Sequence, residues 1–396
     1  MKFKKLATLS LAVTLAVLPG AGQTFAAPQV DTKNVVDVEK EVGNYKKGEV
    51  VVTLKPGKSL SGQALGKLGA KVVDDHSDVV NTQLKVLEVG NVEAVVKALS
   101  NNPNVEYAEP NYTFEATYTP NDPLYSDQYG PQNTSTPAAW DVTLGDSTQE
   151  VAVIDTGVAP DHPDLVNKLV PGYDFVRNST RQKDFDGHGT HVAGTIAAET
   201  GNGIGVAGMA PETKILPVRA LGANGSGSLN DIADAIRYSA DQDAEVINLS
   251  LGCDCDSQTL EDAVNYAWNS GSVVVAAAGN SGVSTTFEPA SYENAIAVGA
   301  VDSNNNVAYF SNYGSWVDVT APGVDIVSTV LRGKYDSYSG TSMASPHVAG
   351  LAALLASQGR SHTEIRTAIE QTADPISGTG TYFEHGLINS LDAVNY

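Results

Sequence analysis

The stretch Gly340-Thr-Ser-Met-Ala-Ser-Pro-His-Val-Ala-Gly350 runs on into Leu351-Ala-Ala-Leu-Leu-Ala356, and its reading decides the rest. An otherwise apolar helix carries two serines, a proline and a histidine at its mouth. Ser342 there reads either as an N-cap or as a nucleophile. In the second case backbone N–H groups and the positive end of the helix dipole face any developing negative charge. What lies upstream has to choose between them.

Upstream, short apolar runs alternate with helical patterns. Val151–Ile154, Ile215–Ala220, Val246–Leu249, Val273–Ala276 and Ile296–Val298 are continuous rather than alternating. Strands buried on both faces look like this, so an α/β fold is expected: a mainly parallel sheet with helices on both faces. Helices are expected over His188–Ala198, Leu229–Asp241, Gln258–Asn269, Thr341–Ser357 and Thr363–Thr372. An earlier block has its own rhythm. Strands at Glu49–Leu54, Lys71–Val73, Thr82–Val89 and Val105–Ala108 alternate with helices at Leu60–Leu68 and Val92–Leu99. That βαββαβ order predicts a small α+β ferredoxin-like domain with its core at about 45–110.

The 396 residues, 42% of them hydrophobic, suffice for two domains, and the formal charge of −22 argues against nucleic acid and anionic membrane as partners. At the start, Lys2, Lys4 and Lys5 precede an apolar run from Leu6 to Leu18, then Pro19-Gly20 and small residues up to Ala26. This pattern predicts a secretory signal peptide over 1–26, too short for a typical membrane span, and hence a secreted protein. Export makes pairing of Cys253 with Cys255 an expectation. A Cys-x-Cys bridge needs a bend in the backbone, and its tiny loop would contribute only roughly 1.5 kcal/mol. Two free thiols are the alternative.

In a parallel sheet, reactive groups gather at the carboxyl ends of strands. Asp155-Thr-Gly157, Ser250-Leu-Gly252 and Gly279-Asn280-Ser281 end three of the runs, and His188 and Ser342 begin two helices. Singly, each has an ordinary explanation as a turn, surface or capping residue. Together they meet a chemical demand. A serine hydroxyl needs a base, and the base needs a carboxylate to fix its tautomer. Asp155, His188 and Ser342 supply those parts, and Asn280 adds an amide donor for the oxyanion. A lipase or esterase would need Gly-x-Ser-x-Gly, and a zinc hydrolase His-Glu-x-x-His; neither occurs. An aspartic protease would need a second Asp-Thr-Gly.

At this point Asp155-Thr-Gly, His188-Gly-Thr-His-Val-Ala-Gly and the opening stretch resemble the three signature motifs of the subtilisin-like serine proteases. Tyr118-Thr-Pro-Asn-Asp122 and Gly314-Ser-Trp-Val-Asp318 point to their thermitase branch. The resemblance implies a secreted serine endopeptidase with an inhibitory propeptide over 27–115 and a catalytic domain over 116–396. The propeptide, acting as chaperone and inhibitor of its own chain, would leave its tail near Tyr112–Glu115 in the cleft and be removed by self-cleavage near 115–118. Ser342 is then the nucleophile, Ser345 a small packing residue, and His191 and His347 structural.

The same resemblance assigns Ser250, Leu251, Gly252, Ala277, Ala278 and Gly279 to a wide apolar primary pocket. Such a pocket favours large apolar or aromatic side chains. Gly225, Ser226 and Gly227 become an edge that pairs with extended substrate. It implies calcium held by Asp122, Asp164, Thr200, Asn202, Ile204 and Val206, an all-oxygen set of the kind that ion prefers. A weaker cation site is expected near Ala290, Tyr292, Ala295 and Asp318. A further family site after Asp174 is expected to be lost, because Arg177 and Ser179 replace its acidic positions. Partners are protein and peptide substrates, and the expected state is a monomer.

Overall fold

The computed structural model describes residues 45–75, 83–113 and 118–396. The signal peptide over 1–26 and the processing region at 114–117 lie outside them. The chain divides into two compact units, Met1–Glu115 and Ala116–Tyr396.

The first unit runs β1 (Tyr45–Leu54), α1 (Gly62–Lys67), β2 (Lys71–Asp74), β3 (Leu84–Glu88), α2 (Val92–Ser100) and β4 (Val105–Tyr112). Its sheet has the order β2-β3-β1-β4 and every neighbour is antiparallel, as a ferredoxin-like module requires. Asn91 caps α2 by accepting from the N–H of Ala94 at 2.9 Å. The helix then buries Val92, Val95, Val96 and Leu99 on one face, against Val50, Val52, Leu54 and Leu87. Several boundaries differ from expectation: β1 starts four residues earlier, at Tyr45, and β3 is shorter at both ends. Ser61 takes the cap position of α1, so the helix starts at Gly62 rather than Leu60. β4 continues four residues past Ala108, through Pro110, because an edge strand can spare an N–H there.

The second unit begins with the short helices α3 (Tyr129–Asn133) and α4 (Thr136–Ala139). It continues through β5 (Glu150–Asp155), β6 (Tyr173–Asp174), α5 (His188–Ala197), β7 (Lys214–Arg219), α6 (Leu229–Asp241), β8 (Val246–Leu249), α7 (Gln258–Ser270), β9 (Val273–Ala277) and β10 (Ile296–Val301). The remainder is β11 (Val319–Pro322), β12 (Ile326–Val330), β13 (Lys334–Tyr338), α8 (Thr341–Ala356), α9 (His362–Gln371), β14 (Gly386–Leu387) and α10 (Ser390–Asn395).

Eight strands form one sheet in the order β14-β11-β10-β9-β8-β5-β7-β6, with all pairs parallel. Alternate residues of β5 enter different cores. Val151 and Val153 pack with α5 and α8, whereas Ala152 and Ile154 pack with α6 and α7. Both faces are therefore covered, which is why the strand sequences run apolar without alternation. Along α8 the side chains from Met343 to Ala356 are all buried. The hairpin β12–β13 was not legible in the sequence, because its three-residue loop turns through Arg332 and Gly333, both at positive φ. At the chain's far end α10 returns to α4: Ser390 N donates to Thr134 O at 2.8 Å, and the Ser390 and Thr136 hydroxyls bond at 2.8 Å. Among the described residues no helix is long and apolar enough to cross a membrane.

Candidate active site

Asp155 closes β5 and His188 opens α5. The helix start approaches the strand end so closely that a Cβ on Gly189 would stand 2.2 Å from the Gly157 carbonyl and 2.9 Å from Asp155 Cβ. Only glycine permits that approach. It brings His188 Nδ1 within 2.9 Å of both oxygens of Asp155, whose side chain is fully buried while a quarter (26%) of the imidazole is exposed. A carboxylate can only accept, so Nδ1 carries the proton and Nε2 is left as the acceptor. Burial works against the charged ring. The charge and hydrogen bond of Asp155, followed by the charges of Asp186 and Asp184, outweigh it and raise the His188 pKa above its usual value.

Asp184, which the sequence reading passed over, anchors this helix start. Its oxygens accept from the N–H groups of Asp186, Gly187 and Thr190 and from the Thr190 hydroxyl. An acidic residue just ahead of a helix start, as in Asp184-Phe-Asp-Gly-His188, is the signal that would have found it.

Ser342 is the second residue of α8. The structure does not show its hydroxyl bonded to His188; Oγ donates instead to the carbonyl of Ser250 at 3.2 Å. Asn280, just past β9, has Oδ1 tied to the Thr341 N–H at 2.8 Å and to the Thr341 hydroxyl at 3.0 Å. Its Nδ2 is thereby assigned to the opposite side, as an oxyanion donor requires.

Beside these groups lies a recess of about 100 Å3, lined by Leu251, Gly252, Ala277, Gly279, Asn280, Phe287, Thr341 and Ser342. Four of the six expected pocket residues are among them, and two are not. The Ser250 hydroxyl turns away to donate to the carbonyl of Ser342 at 2.9 Å, and Ala278 is buried in a separate cluster with Val317 and Phe383. Phe287 was missed. Its ring occupies the place where a Cβ on Gly252 would go, at 2.4 Å. Gly225, Ser226 and Gly227 are exposed in the turn between β7 and α6, outside any strand.

Cys253 pairs through its backbone with Glu288 at 2.8 and 2.9 Å, next to Phe287, and its Cα lies 5.3 Å from that of Cys255. That separation is within the range a bridge needs.

The expected calcium loop also folds together. Asp122 and Asp164 are 4% and 0% exposed, and neither has an ion pair among the described residues. Asp122 accepts from the N–H groups of Gly201 and Asn202, and Asp164 from Asn202 Nδ2 and Val206 N–H. Burial pushes the Asp164 pKa up. Two buried carboxylates without a cationic partner are what an added cation would neutralise, so these residues fit calcium. Thr200 contributes differently: its hydroxyl bonds within the loop, to Ala198 O and from Gly208 N.

The second cation expectation needs correction. Arg366 of α9 reaches Asp318 Oδ1 at 3.3 Å and also donates to the Glu293 carbonyl. The chain thus supplies its own cation to Asp318. Ser345 is corrected too. Its hydroxyl is no mere packing group but donates to Asn248 Oδ1 at 2.6 Å. After Asp174 the carboxylate is engaged by Arg219 at 2.8 Å and by the N–H of Arg177 at 3.0 Å.

Known proteins resemble the chain across both of its units. Residues 146–388 match the model of the Subtilase family, and residues 31–111 match the Fervidolysin N-terminal prodomain. The chain is 63% identical over 402 residues to the thermophilic serine proteinase of Bacillus sp. (strain AK1), with all of both chains covered. It is 56% identical over 280 residues to thermitase of Thermoactinomyces vulgaris, covering 70% of this chain and all of that protein. A solved protease structure from Pseudoalteromonas arctica superposes with a TM-score of 0.66 at 36% identity, covering 70% of this chain and 99% of the other.

Proposed function

The chain belongs to the subtilase family, and we propose that it cuts protein chains with Ser342 as its nucleophile. It is a thermitase-like serine endopeptidase with an N-terminal prodomain. The observation that carries the assignment of residues is the grip of Asp155 on His188 Nδ1, which leaves Nε2 free to take a proton.

In this reading the Ser342 hydroxyl swings from the Ser250 carbonyl to His188 Nε2 as substrate enters. His188 accepts its proton while Oγ attacks the peptide carbonyl, and the charge on the new oxyanion is met by Asn280 Nδ2 and the Ser342 N–H. The protonated imidazole then delivers its proton to the leaving amine. Water, activated by the same ring, releases the acyl-enzyme. Labelling with a fluorophosphonate tests this: the wild type is expected to label, and Ser342→Ala alone to abolish it. A wild type that folds but neither labels nor cleaves casein overturns the reading.

Specificity follows from the recess. Its floor of Leu251, Ala277 and the ring of Phe287 suits large apolar or aromatic side chains before the scissile bond. Extended substrate would pair along Gly225–Gly227. A Cys253–Cys255 disulfide would stiffen the segment joined to Glu288.

Asp122, Asp164 and the loop at Thr200, Asn202, Ile204 and Val206 would hold calcium. The ion supplies charge neutralisation for two buried carboxylates and a tie between distant segments.

The precursor is exported under residues 1–26. Residues 27–115 act as chaperone and inhibitor, and self-cleavage near 115–118 frees a monomeric enzyme over 116–396. Intact mass and light scattering after incubation, with Ser342→Ala as the control that stays unprocessed, test this sequence of events.

A further inference from the structure

Pro346 lies inside α8, four residues beyond Ser342. A proline has no N–H, so the carbonyl of Ser342 lacks the donor that a helix ordinarily supplies at that distance. The structure fills the gap from another element. Ser250 Oγ, past the end of β8, donates to the Ser342 carbonyl at 2.9 Å.

Ser250 is itself held in turn. Asn248 Nδ2, the side-chain amide of a fully buried residue on β8, donates to Ser250 Oγ at 3.0 Å. Asn248 Oδ1 accepts from Ser345 Oγ at 2.6 Å, and Ser345 is also fully buried. Four hydroxyl and amide groups are thus joined head to tail, from Ser345 through Asn248 and Ser250 to Ser342. Each link passes a hydrogen to the next group, so each bond polarises the next.

The direction of the relay matters. A serine hydroxyl rotates freely, and an amide can flip end for end. The Ser345 hydroxyl can only donate to Asn248 Oδ1, since it meets the oxygen end; this turns Nδ2 toward Ser250. The amide then occupies a lone pair of Ser250 Oγ and leaves its hydrogen for the Ser342 carbonyl. Ser345 and Ser342 are three residues apart, on one face of the first turns of α8. The relay therefore fastens that face to the end of β8 at two points, fixing the rotation of the helix about its axis.

We propose that Ser345 and Asn248 are positioning residues for the nucleophile, setting the direction in which Ser342 presents its hydroxyl. The inference rests on Ser342 being the nucleophile. It assigns catalytic consequence to two buried groups that touch neither substrate nor His188 by any hydrogen bond in the structure.

The test uses the processed enzyme, assayed well below its unfolding temperature. Ser345→Ala removes the donor that orients Asn248. Its kcat is expected to fall about tenfold, a size consistent with slight misplacement of a reacting group, while KM stays within twofold. Fluorophosphonate labelling of Ser342 should slow by a similar factor. Ser345→Thr keeps the hydroxyl and should restore kcat to within twofold of wild type, which a purely volumetric role would not produce.

Wild-type kcat and labelling rate in Ser345→Ala overturn the proposal. So does a loss that Ser345→Thr, folded, fails to restore. Should Ser345→Thr not fold, a wild-type kcat and labelling rate in Ser345→Ala still overturn the proposal. Failure of the wild type itself to label at Ser342 would instead remove the functional reading on which the proposal stands.

Discussion

Asp155 holds the imidazole of His188 with both carboxylate oxygens, each 2.9 Å from Nδ1. An amide in its place could present an N–H to Nδ1 and stabilise the wrong tautomer, with the proton on Nε2. Asp155→Asn is therefore expected to lower kcat on the order of 10⁴-fold near neutral pH, the size of this substitution in a serine-protease triad. Steady-state peptide hydrolysis measures it, and a loss below tenfold would mean that Asp155 does not set the tautomer.

The acid limb of the pH profile should respond to a residue outside the triad. Burial lowers the His188 pKa, but Asp155, Asp186 and Asp184 together leave it above its ordinary value. His188 serves as base only when neutral, so kcat/KM falls as pH drops through that raised pKa. Asp186→Asn removes one raising charge and keeps an oxygen to accept the His188 N–H, now bonded at 3.1 Å. The acid limb should move to lower pH. A limb that stays in place or moves up would contradict the electrostatic account.

Two other histidines govern acid stability instead. Burial pushes His191 and His347 down to about 4. Both bind protons more readily in the unfolded chain, near pH 6.5, than in the folded one. Stability from each is thus complete above about pH 6.5 and is lost as pH falls toward 4. The loss reaches about 3 kcal/mol per histidine. In a Ser342→Ala background, which prevents self-digestion, the Tm should fall across this window. His347→Gln should flatten part of the fall, and an unchanged slope would exclude His347 as its source.

Calcium should stabilise the fold through Asp122 and Asp164. At a hundredfold excess over Kd a ligand specific for the folded state contributes about 2.7 kcal/mol. For a unit of this size that is a Tm shift of several degrees. Chelation should remove the shift in the Ser342→Ala protein, and Asp164→Asn should be insensitive to both calcium and chelator. Equal calcium responses in the two proteins would place the ion elsewhere.

The sheet and the main helices were legible because strands buried on both faces and a helix apolar all round leave strong patterns. Asp155, His188, Asn280 and Ser342 were legible because each ends or begins such an element, next to glycines that allow close approach. Phe287 was not, since a lone aromatic in a loop carries no periodicity and its partner, Gly252, lies 35 residues away in the sequence. Ser250 and Ser345 were assigned to the wall and the packing because a small hydroxyl has no signature for the direction in which it bonds. Arg366 escaped for a related reason: its opposite numbers, Asp318 and the Glu293 carbonyl, meet it only through tertiary packing.

The fastening of α10 to α4 has a practical outcome for a protein that digests others of its kind. Loose termini are where proteolysis usually gains its first foothold. Here α10 is held to the segment around α4 through Thr134, Thr136 and Ser390, with Thr136 and Ser390 wholly enclosed. Before a neighbouring copy could cut within α10, those bonds would have to break.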